Sequence, residues 1–341
     1  AFYGTQEIER EVLNVIAVDI FKAKENEFDG YIAPGGTEAN IQAIWVFRNE
    51  FMHNFDAKLN EIAILASEDT HYSIPKASNL LQIDWLKIPV GFENREIDAV
   101  ALDNIISEAI NKGKKYFIAV SNMATTMFGS VDNPDVYTSE LEKHNVTYRL
   151  HIDGAYGGFV YPFSNQKSNI NFSNPKISSI TIDAHKMLQA PYGIGVFICR
   201  KGLIENVLTK EAEYVEGMDL TLCGSRSGSN AVAVWMILFA YGPHGWFEKV
   251  SVLQMRTQFL CNELDQLNIP YFREPYMNIV TIDAKNINHA LAERFDLVPQ
   301  QHNSENKWYK IVLMDHVEVE HLTTFIAQLK ATMHVEKGIT A

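Results

Sequence analysis

The chain has 341 residues, of which 47% are hydrophobic and 21% charged, and it carries a formal net charge of −13. This length and composition are typical of a globular protein with a sizeable core, built as one large domain and a smaller one. The acidic balance, without a basic cluster, argues against a nucleic-acid-binding protein, which would present a basic surface. Any phosphate would therefore be bound by local donors such as backbone N–H groups.

The cysteines and the apolar runs indicate the cellular compartment of the protein. Cys199, Cys223 and Cys261 are far apart and odd in number, which fits a reduced, cytoplasmic compartment and excludes a zinc ribbon; we expect no metal site. The apolar run 231–240 is too short to cross a bilayer, and no signal peptide is evident. Because the chain begins without Met inside a helical pattern, we expect that a native N-terminal segment precedes it.

The first 200 residues alternate between predicted helices and strands. A helix begins near Thr5, and a short strand from Gly30, a Gly-Gly turn and a second helix follow it. Further strands are predicted at 62–66, 116–121, 148–152, 180–184 and 193–199, and further helices at 99–112 and 136–144. This order predicts an α/β domain with a mostly parallel sheet.

The later part of the chain shows a different pattern. Residues 163–174 are rich in Ser and Asn and predict a surface loop, and residues 231–241 are apolar all round and predict a buried helix. The break at 242–245 predicts a hinge, which divides the chain into domains 1–245 and 246–341. In the second domain, strands are predicted at 278–283 and 308–314, and helices at 247–267, 287–295 and 319–333. We expect this domain to be a small α+β unit.

Polar residues follow several of the predicted strands directly. Taken singly, each has a structural alternative: a helix cap for Gly35-Gly36-Thr37, a surface imidazole for His71, a capping acid for Asp153 and a solvated amine for Lys186. The carboxyl ends of parallel strands gather at one edge of a sheet, so Thr37, His71, Thr126, Asp153 and Lys186 should converge on one crevice. An amine held at a rigid turn beside an apolar segment can act as a free base that condenses with a carbonyl.

Several motifs, in a fixed order, resemble a known family. They are GGTEAN, His71, TTMFGSVD, HIDGAYGG, DAHKM and GSRSG. Together they resemble the group II decarboxylases among the pyridoxal 5'-phosphate (PLP) enzymes of the aspartate-aminotransferase-like fold. The chain is similar, from Gly4 to about residue 315, to the small microbial histidine decarboxylases and to the archaeal-type tyrosine/aspartate decarboxylases.

The resemblance implies a fold, an assembly and a reaction. The large domain would have the PLP-dependent transferase-like fold (fold type I), and the protein would be a cytoplasmic homodimer with its active site at the subunit interface. The reaction would be the PLP-dependent decarboxylation of an L-amino acid to the amine and CO2. The residue pattern leaves open a PLP-dependent aldehyde-lyase of the sphingosine-phosphate-lyase type, an aminotransferase that uses Arg273, and a degenerate PLP-fold binding protein.

The same resemblance implies roles for individual residues. Lys186 would form the Schiff base with PLP, Asp153 would pair with the pyridinium nitrogen, and His71 and Ala155 would lie against the two ring faces. Thr126 would lie near the phenolic oxygen of the ring or near the substrate carboxylate. The phosphate would be bound by Gly35, Gly36, Thr37 and His185, with Ser225 reaching in from a partner subunit.

Two further residues complete the predicted site. Asp183 also belongs to the cofactor-binding set, but a carboxylate would repel the phosphate, so we expect it to turn away or to bridge through another group. Tyr214 lies on a polar stretch and matches the loop tyrosine of the family, which implies that it returns a proton to the substrate carbon. The structural alternative for Tyr214 is a plain surface tyrosine.

Overall fold

The structure, a computed structural model, describes residues 3–209, 218–301 and 306–339. Seven strands form its central sheet: β1 (Phe28–Ala33), β2 (Ile62–Ser67), β3 (Asp84–Ile88), β4 (Tyr116–Asn122), β5 (Thr147–Asp153), β6 (Ile177–Asp183) and β7 (Gly195–Arg200). Their order is β1-β7-β6-β5-β4-β2-β3. Strands β2 to β6 run parallel, and β7 is antiparallel to both of its neighbours. The predicted mostly parallel sheet is therefore confirmed.

Helices cover the sheet and join its strands. They are α1 (Tyr3–Asn14), α2 (Gly36–Phe55), α3 (Ser73–Leu81), α4 (Ala99–Asn111), α5 (Pro134–Lys143), α6 (Tyr161–Ser164) and α7 (Gly228–Gln266). Strands β2 and β6 are buried along their whole length, as parallel strands with both faces covered must be. Their continuous apolar character made these strands recognisable in the sequence.

Edge strand β3 was missed because its pattern is weak. Its five residues, DWLKI, are exposed or half-buried except for the last. An edge strand covered on one side alone does not need a continuous apolar run, so its sequence resembles that of a loop.

Two predicted segments differ from the structure. The stretch 163–174 is not simply a surface loop, since Ile170 and Phe172 are buried against the core. The helix predicted over 231–241 forms, as the first part of α7, but it is not buried all round: Met236 is 60% exposed and Phe239 is 52% exposed. The second difference leaves an apolar face on the surface of the described chain.

The C-terminal part forms the predicted small α+β unit. Its elements are β8 (Tyr271–Phe272), β9 (Ile279–Asp283), α8 (His289–Arg294), β10 (Val298–Pro299), β11 (Trp308–Val312) and α9 (Val319–Ile339). The four strands pair antiparallel in the order β10-β11-β9-β8. The predicted hinge falls within α7, where Gly242 departs from helical geometry with φ 61°. The domain boundary at residues 245 and 246 stays a prediction. No helix among the described residues is both long and apolar enough to span a bilayer.

Candidate active site

The carboxyl ends of the parallel strands meet at a cavity between the central sheet and the small unit. Five of the residues predicted to contact the cofactor line it: His71, Thr126, Asp153, Ala155 and Lys186. From the opposite side, β9 and β11 contribute Ile279, Lys310 and Val312. Of the five residues expected to converge at this edge of the sheet, four line the cavity, and Thr37 is not among its lining residues.

Asp153 is the last residue of β5 and one of the residues that line this cavity. The side chain is 5% exposed; Oδ2 accepts a hydrogen bond from Asn40 Nδ2 at 2.8 Å, and Oδ1 accepts one from the Ala155 N–H at 3.1 Å. No cationic side chain among the described residues forms an ion pair with it. A buried carboxylate satisfied only by neutral donors is costly and can accept a cationic partner from outside the chain.

Lys186 lies in the tight turn between β6 and β7. Its side chain is 34% exposed, and Nζ is 2.9 Å from Asp183 Oδ2. The amine belongs to a residue that lines the cavity and is paired with a buried carboxylate. Asp153 and Lys186 both line the cavity, as a ring held between them requires.

The Gly-Gly turn before α2 forms the candidate phosphate cradle. Gly35 has φ 104°, a conformation that favours glycine, and Gly36 begins a helix of 20 residues. The first N–H groups of such a helix attract anions. Nearby, His185 donates through Nδ1–H to the carbonyl of Ile194 at 2.9 Å, which leaves Nε2 available to a ligand. Thr37, in the first turn of the helix, is half-buried.

Asp183 does not turn away from this cradle. A Cβ at Gly36 would lie 2.8 Å from Asp183 Oδ2 and 2.9 Å from Oδ1, so glycine is needed at this position. The buried Oδ1 lacks a hydrogen-bond partner among the described residues. The carboxylate pairs with the Lys186 amine at 2.9 Å, and whether it bridges to a phosphate stays a prediction.

His71 follows β2 and borders the cavity beside Asp153. Its Nδ1 accepts the Ser73 N–H at 3.2 Å and lies 2.9 Å from Ser73 Oγ. Burial lowers the pKa of His71, while the charge of Asp153 acts in the opposite direction. A neutral imidazole presents a flat apolar face, which suits the predicted stacking against an aromatic ring.

Besides Asp183 and the cradle residues Gly35, Gly36, Thr37 and His185, two predicted residues do not line this cavity. Ser225 is exposed on the segment before α7. Tyr214 lies outside the described residues. Arg273, the candidate for an aminotransferase, donates to the side chains of Gln254 and Gln258 and does not line the cavity.

Lys310 and Asn40 were not singled out from the sequence. Lys310 Nζ donates to the carbonyl of Thr126 at 2.9 Å, and burial together with the charge of Lys186 lowers its pKa. Lys310 could have been noticed as a polar residue at the centre of the apolar strand WYKIV. Asn40 could have been noticed because it lies just after the glycines, near the start of a helix.

His151 is a further buried polar residue that the sequence analysis passed over. It is fully buried in β5, with Nε2 2.9 Å from Asn40 Oδ1 and Nδ1 2.7 Å from Ser179 Oγ. Burial lowers the pKa of His151 to about 4, although the charge of Asp153 acts in the opposite direction. The imidazole is therefore neutral at physiological pH.

Comparison with known proteins identifies the family. Residues 4–275 match the pyridoxal-dependent decarboxylase conserved domain. The chain belongs to the pyridoxal-dependent decarboxylase family. A tryptophan decarboxylase of Clostridium sporogenes is 54% identical over 329 residues, which cover 96% of this chain and 79% of that protein. A probable L-tyrosine/L-aspartate decarboxylase of Methanocella arvoryzae is 31% identical, over 96% of this chain and 84% of that protein.

Solved structures share the fold of this decarboxylase at low sequence identity. A sphingosine-1-phosphate lyase of Burkholderia pseudomallei superposes with a TM-score of 0.83 at 17% identity, over 97% of this chain and 77% of that one. The Oryza sativa TDC with PLP and tryptamine gives a TM-score of 0.81 at 16% identity, with the same coverage. The fold type I architecture, the PLP cofactor and the decarboxylation of an amino acid are thereby confirmed. The aldehyde-lyase and aminotransferase alternatives are not favoured.

The residues of the cavity fit this cofactor. The Asp153 carboxylate is buried and forms no ion pair with a side chain among the described residues, so it could bind a protonated pyridine nitrogen. The Lys186 amine could react with the aldehyde carbon of the cofactor. When bound, PLP supplies an electron-accepting ring for the electrons released as the carboxylate leaves as CO2.

The buried His151 makes the stability of this decarboxylase depend on pH. The pKa of His151 is about 4 in the folded state and about 6.5 when unfolded, so the unfolded chain binds the proton first as the pH falls. The free energy of unfolding therefore does not depend on the protonation of this residue above pH 6.5. Between pH 6.5 and 4, protonation of His151 in the unfolded chain lowers the free energy of unfolding by about 3 kcal/mol in total.

We therefore expect urea unfolding of His151→Gln to depend less on pH than that of the wild type across this window. Gln at 151 keeps a donor for Asn40 but does not titrate. His53→Gln, at an exposed position of α2, is the control and should follow the wild type. Parallel pH profiles for the wild type and His151→Gln would contradict the buried neutral imidazole.

Proposed function

We propose that this decarboxylase converts L-tryptophan to tryptamine and CO2. The observation that carries the proposal is the 54% identity, over 96% of the chain, with a tryptophan decarboxylase. The cavity supports it, because Ile279 and Val312 present apolar side chains from the small unit, as an indole would require.

The charges in the cavity also favour an apolar amino acid over an acidic one. Among the described lining residues, the ammonium groups belong to Lys186 and Lys310, and Lys186 is taken by the cofactor. Lys310 remains for the α-carboxylate of the substrate, and its bond to the Thr126 carbonyl holds the ammonium in place. An aspartate or glutamate substrate would bring a second carboxylate without a second ammonium group to meet it.

Each of the remaining side chains has a separate role in the reaction. Asp153 would accept a hydrogen bond from the protonated pyridine nitrogen, and His71 would stack on the ring. The apolar walls exclude water from the α-carboxylate, which favours its loss as neutral CO2. Tyr214 returns a proton to the substrate carbon, as its place in the chain implies.

A panel of L-amino acids tests the substrate. With purified PLP-loaded enzyme, we expect tryptophan to give amine and CO2 with a kcat/KM at least about ten-fold above those of tyrosine, phenylalanine, histidine, methionine and aspartate. Lys310→Met should raise KM about ten-fold or more for every member of the panel, because the α-carboxylate is common to all of them.

The controls separate these two claims. Lys307→Met, on the exposed residue just before β11, should leave KM unchanged. Preference for another amino acid would contradict tryptophan as the substrate. A Lys310→Met enzyme with an unchanged KM would contradict the carboxylate contact alone. An aldehyde or a 2-oxo acid as the main product would contradict decarboxylation itself.

The role of Tyr214 can be tested through the products. We expect Tyr214→Phe to form the amine more slowly and to release more transamination by-products, because the substrate carbon has lost its proton donor. Tyr276→Phe, at an exposed tyrosine of the small unit, should behave as the wild type. Unchanged turnover and unchanged products in Tyr214→Phe would reject the role.

The protein is further proposed to be a cytoplasmic homodimer. Support comes from the exposed apolar face of α7, formed by Met236 and Phe239, since exposed apolar patches mark interaction surfaces. Ser225, on the segment just before this helix, would then reach the cofactor of the other subunit.

The proposed location in the cytoplasm agrees with the free cysteines, which fit a reducing compartment. Fractionation of source cells would test that location, and recovery of the protein outside the cytoplasm would reject it.

Sedimentation velocity tests the assembly. Phe239→Glu should convert a dimer to a monomer and weaken PLP binding, because each site would lose the residues supplied by its partner. Met255→Glu, also at an exposed position of α7, is the matched control and should stay dimeric. A wild-type protein that sediments as a monomer with full PLP affinity would refute the proposal.

A further inference from the structure

Asn40, in the first turns of α2, lies at the centre of a buried chain of hydrogen bonds beneath the cofactor cavity. The side chain is 1% exposed. Its Nδ2 lies 2.8 Å from Asp153 Oδ2 and 2.9 Å from Ser73 Oγ, and its Oδ1 lies 2.9 Å from His151 Nε2. One amide thus joins the acid of the site to two otherwise separate polar groups.

The charge of Asp153 fixes the direction of this chain. An ionised carboxylate can only accept hydrogen bonds, so Asn40 must present its NH2 group to Asp153. The carbonyl oxygen of the amide then faces His151 and can only accept. The donor and the acceptor of each further hydrogen bond in this series follow from the orientation of the Asn40 amide.

On one side the constraint selects the tautomer of His151. Nε2 must carry the proton in order to donate to Asn40 Oδ1. In the neutral ring Nδ1 is then the acceptor, and the Ser179 hydroxyl donates a hydrogen bond to it at 2.7 Å. His151 is fully buried in β5, two residues before Asp153, and its ring holds the amide in this orientation.

On the other side it selects the tautomer of His71. The second N–H of the Asn40 amide donates to Ser73 Oγ, so the Ser73 hydroxyl is free to donate its own proton to His71 Nδ1 at 2.9 Å. The Ser73 N–H donates to the same nitrogen at 3.2 Å. His71 Nδ1 is therefore the acceptor and Nε2 carries the proton.

We propose that Asn40 is a positioning residue, which holds the Asp153 carboxylate towards the pyridine nitrogen and, through Ser73, sets the tautomer of the stacking residue His71. His151 supports it by fixing the orientation of the amide. The inference rests on PLP as the cofactor and is independent of which amino acid is the substrate. Its consequences therefore appear in cofactor binding before any substrate is added.

The test is titration of the apoenzyme with PLP, followed by absorbance. Asn40→Asp replaces the donor with a second carboxylate against Asp153, and we expect the Kd for PLP to rise at least about ten-fold and the visible band to shift. Asn49→Asp is the matched control: it lies on the same helix, is half-buried and donates to the carbonyl of Asn206, outside the chain of bonds. It should keep the wild-type Kd and spectrum.

Further variants keep the proposal testable if Asn40→Asp does not fold. Asn40→Ala adds no charge and should also weaken PLP binding. His151→Leu removes the donor to Asn40 and should weaken it too, whereas His151→Gln retains a donor and should restore it. Wild-type Kd and spectrum in both Asn40 variants, or in Asn40→Ala alone if Asn40→Asp cannot be purified, would overturn the proposal. Equal behaviour of His151→Leu and His151→Gln would overturn the part assigned to His151.

Discussion

The structure of this site depends on a carboxylate buried at the end of a central strand. Asp153 is held in the core by an amide and a backbone N–H, both neutral, and no side-chain cation pairs with it among the described residues. Such an arrangement is unfavourable until a cation arrives. We propose that a protonated pyridine ring would meet that need, and that the same contact would make the ring a stronger electron acceptor. On this proposal, binding of the cofactor and its activation are parts of one electrostatic interaction.

Much of this could be predicted from the sequence because parallel sheets constrain where function is placed. Strands buried on both faces show as continuous apolar runs, and the residue that follows each run lies at a known edge of the sheet. Asp153 and Lys186 are 33 positions apart in the chain, yet both follow such runs, and the structure places both in one cavity. The motifs shared with the family made the expectation specific.

Other features could not be predicted, for physical reasons that differ from case to case. The contact of Asn40 with His151 depends on how α2 crosses the sheet, which no local pattern encodes. Lys310 reaches the cavity from the small unit, so its role depends on how that unit docks. The apolar residues after Ala231 looked like those of a core helix, because an apolar helix face has the same composition whether it is buried in the core or exposed at the surface.

The protonation state of the bound cofactor tests the central claim most directly. Nitrogen-15 NMR of the holoenzyme, prepared with PLP labelled at the pyridine nitrogen, reports whether that atom carries a proton. The account predicts a protonated nitrogen at neutral pH in the wild type and loss of that proton in Asp153→Asn. An unprotonated nitrogen in the wild-type holoenzyme would contradict it.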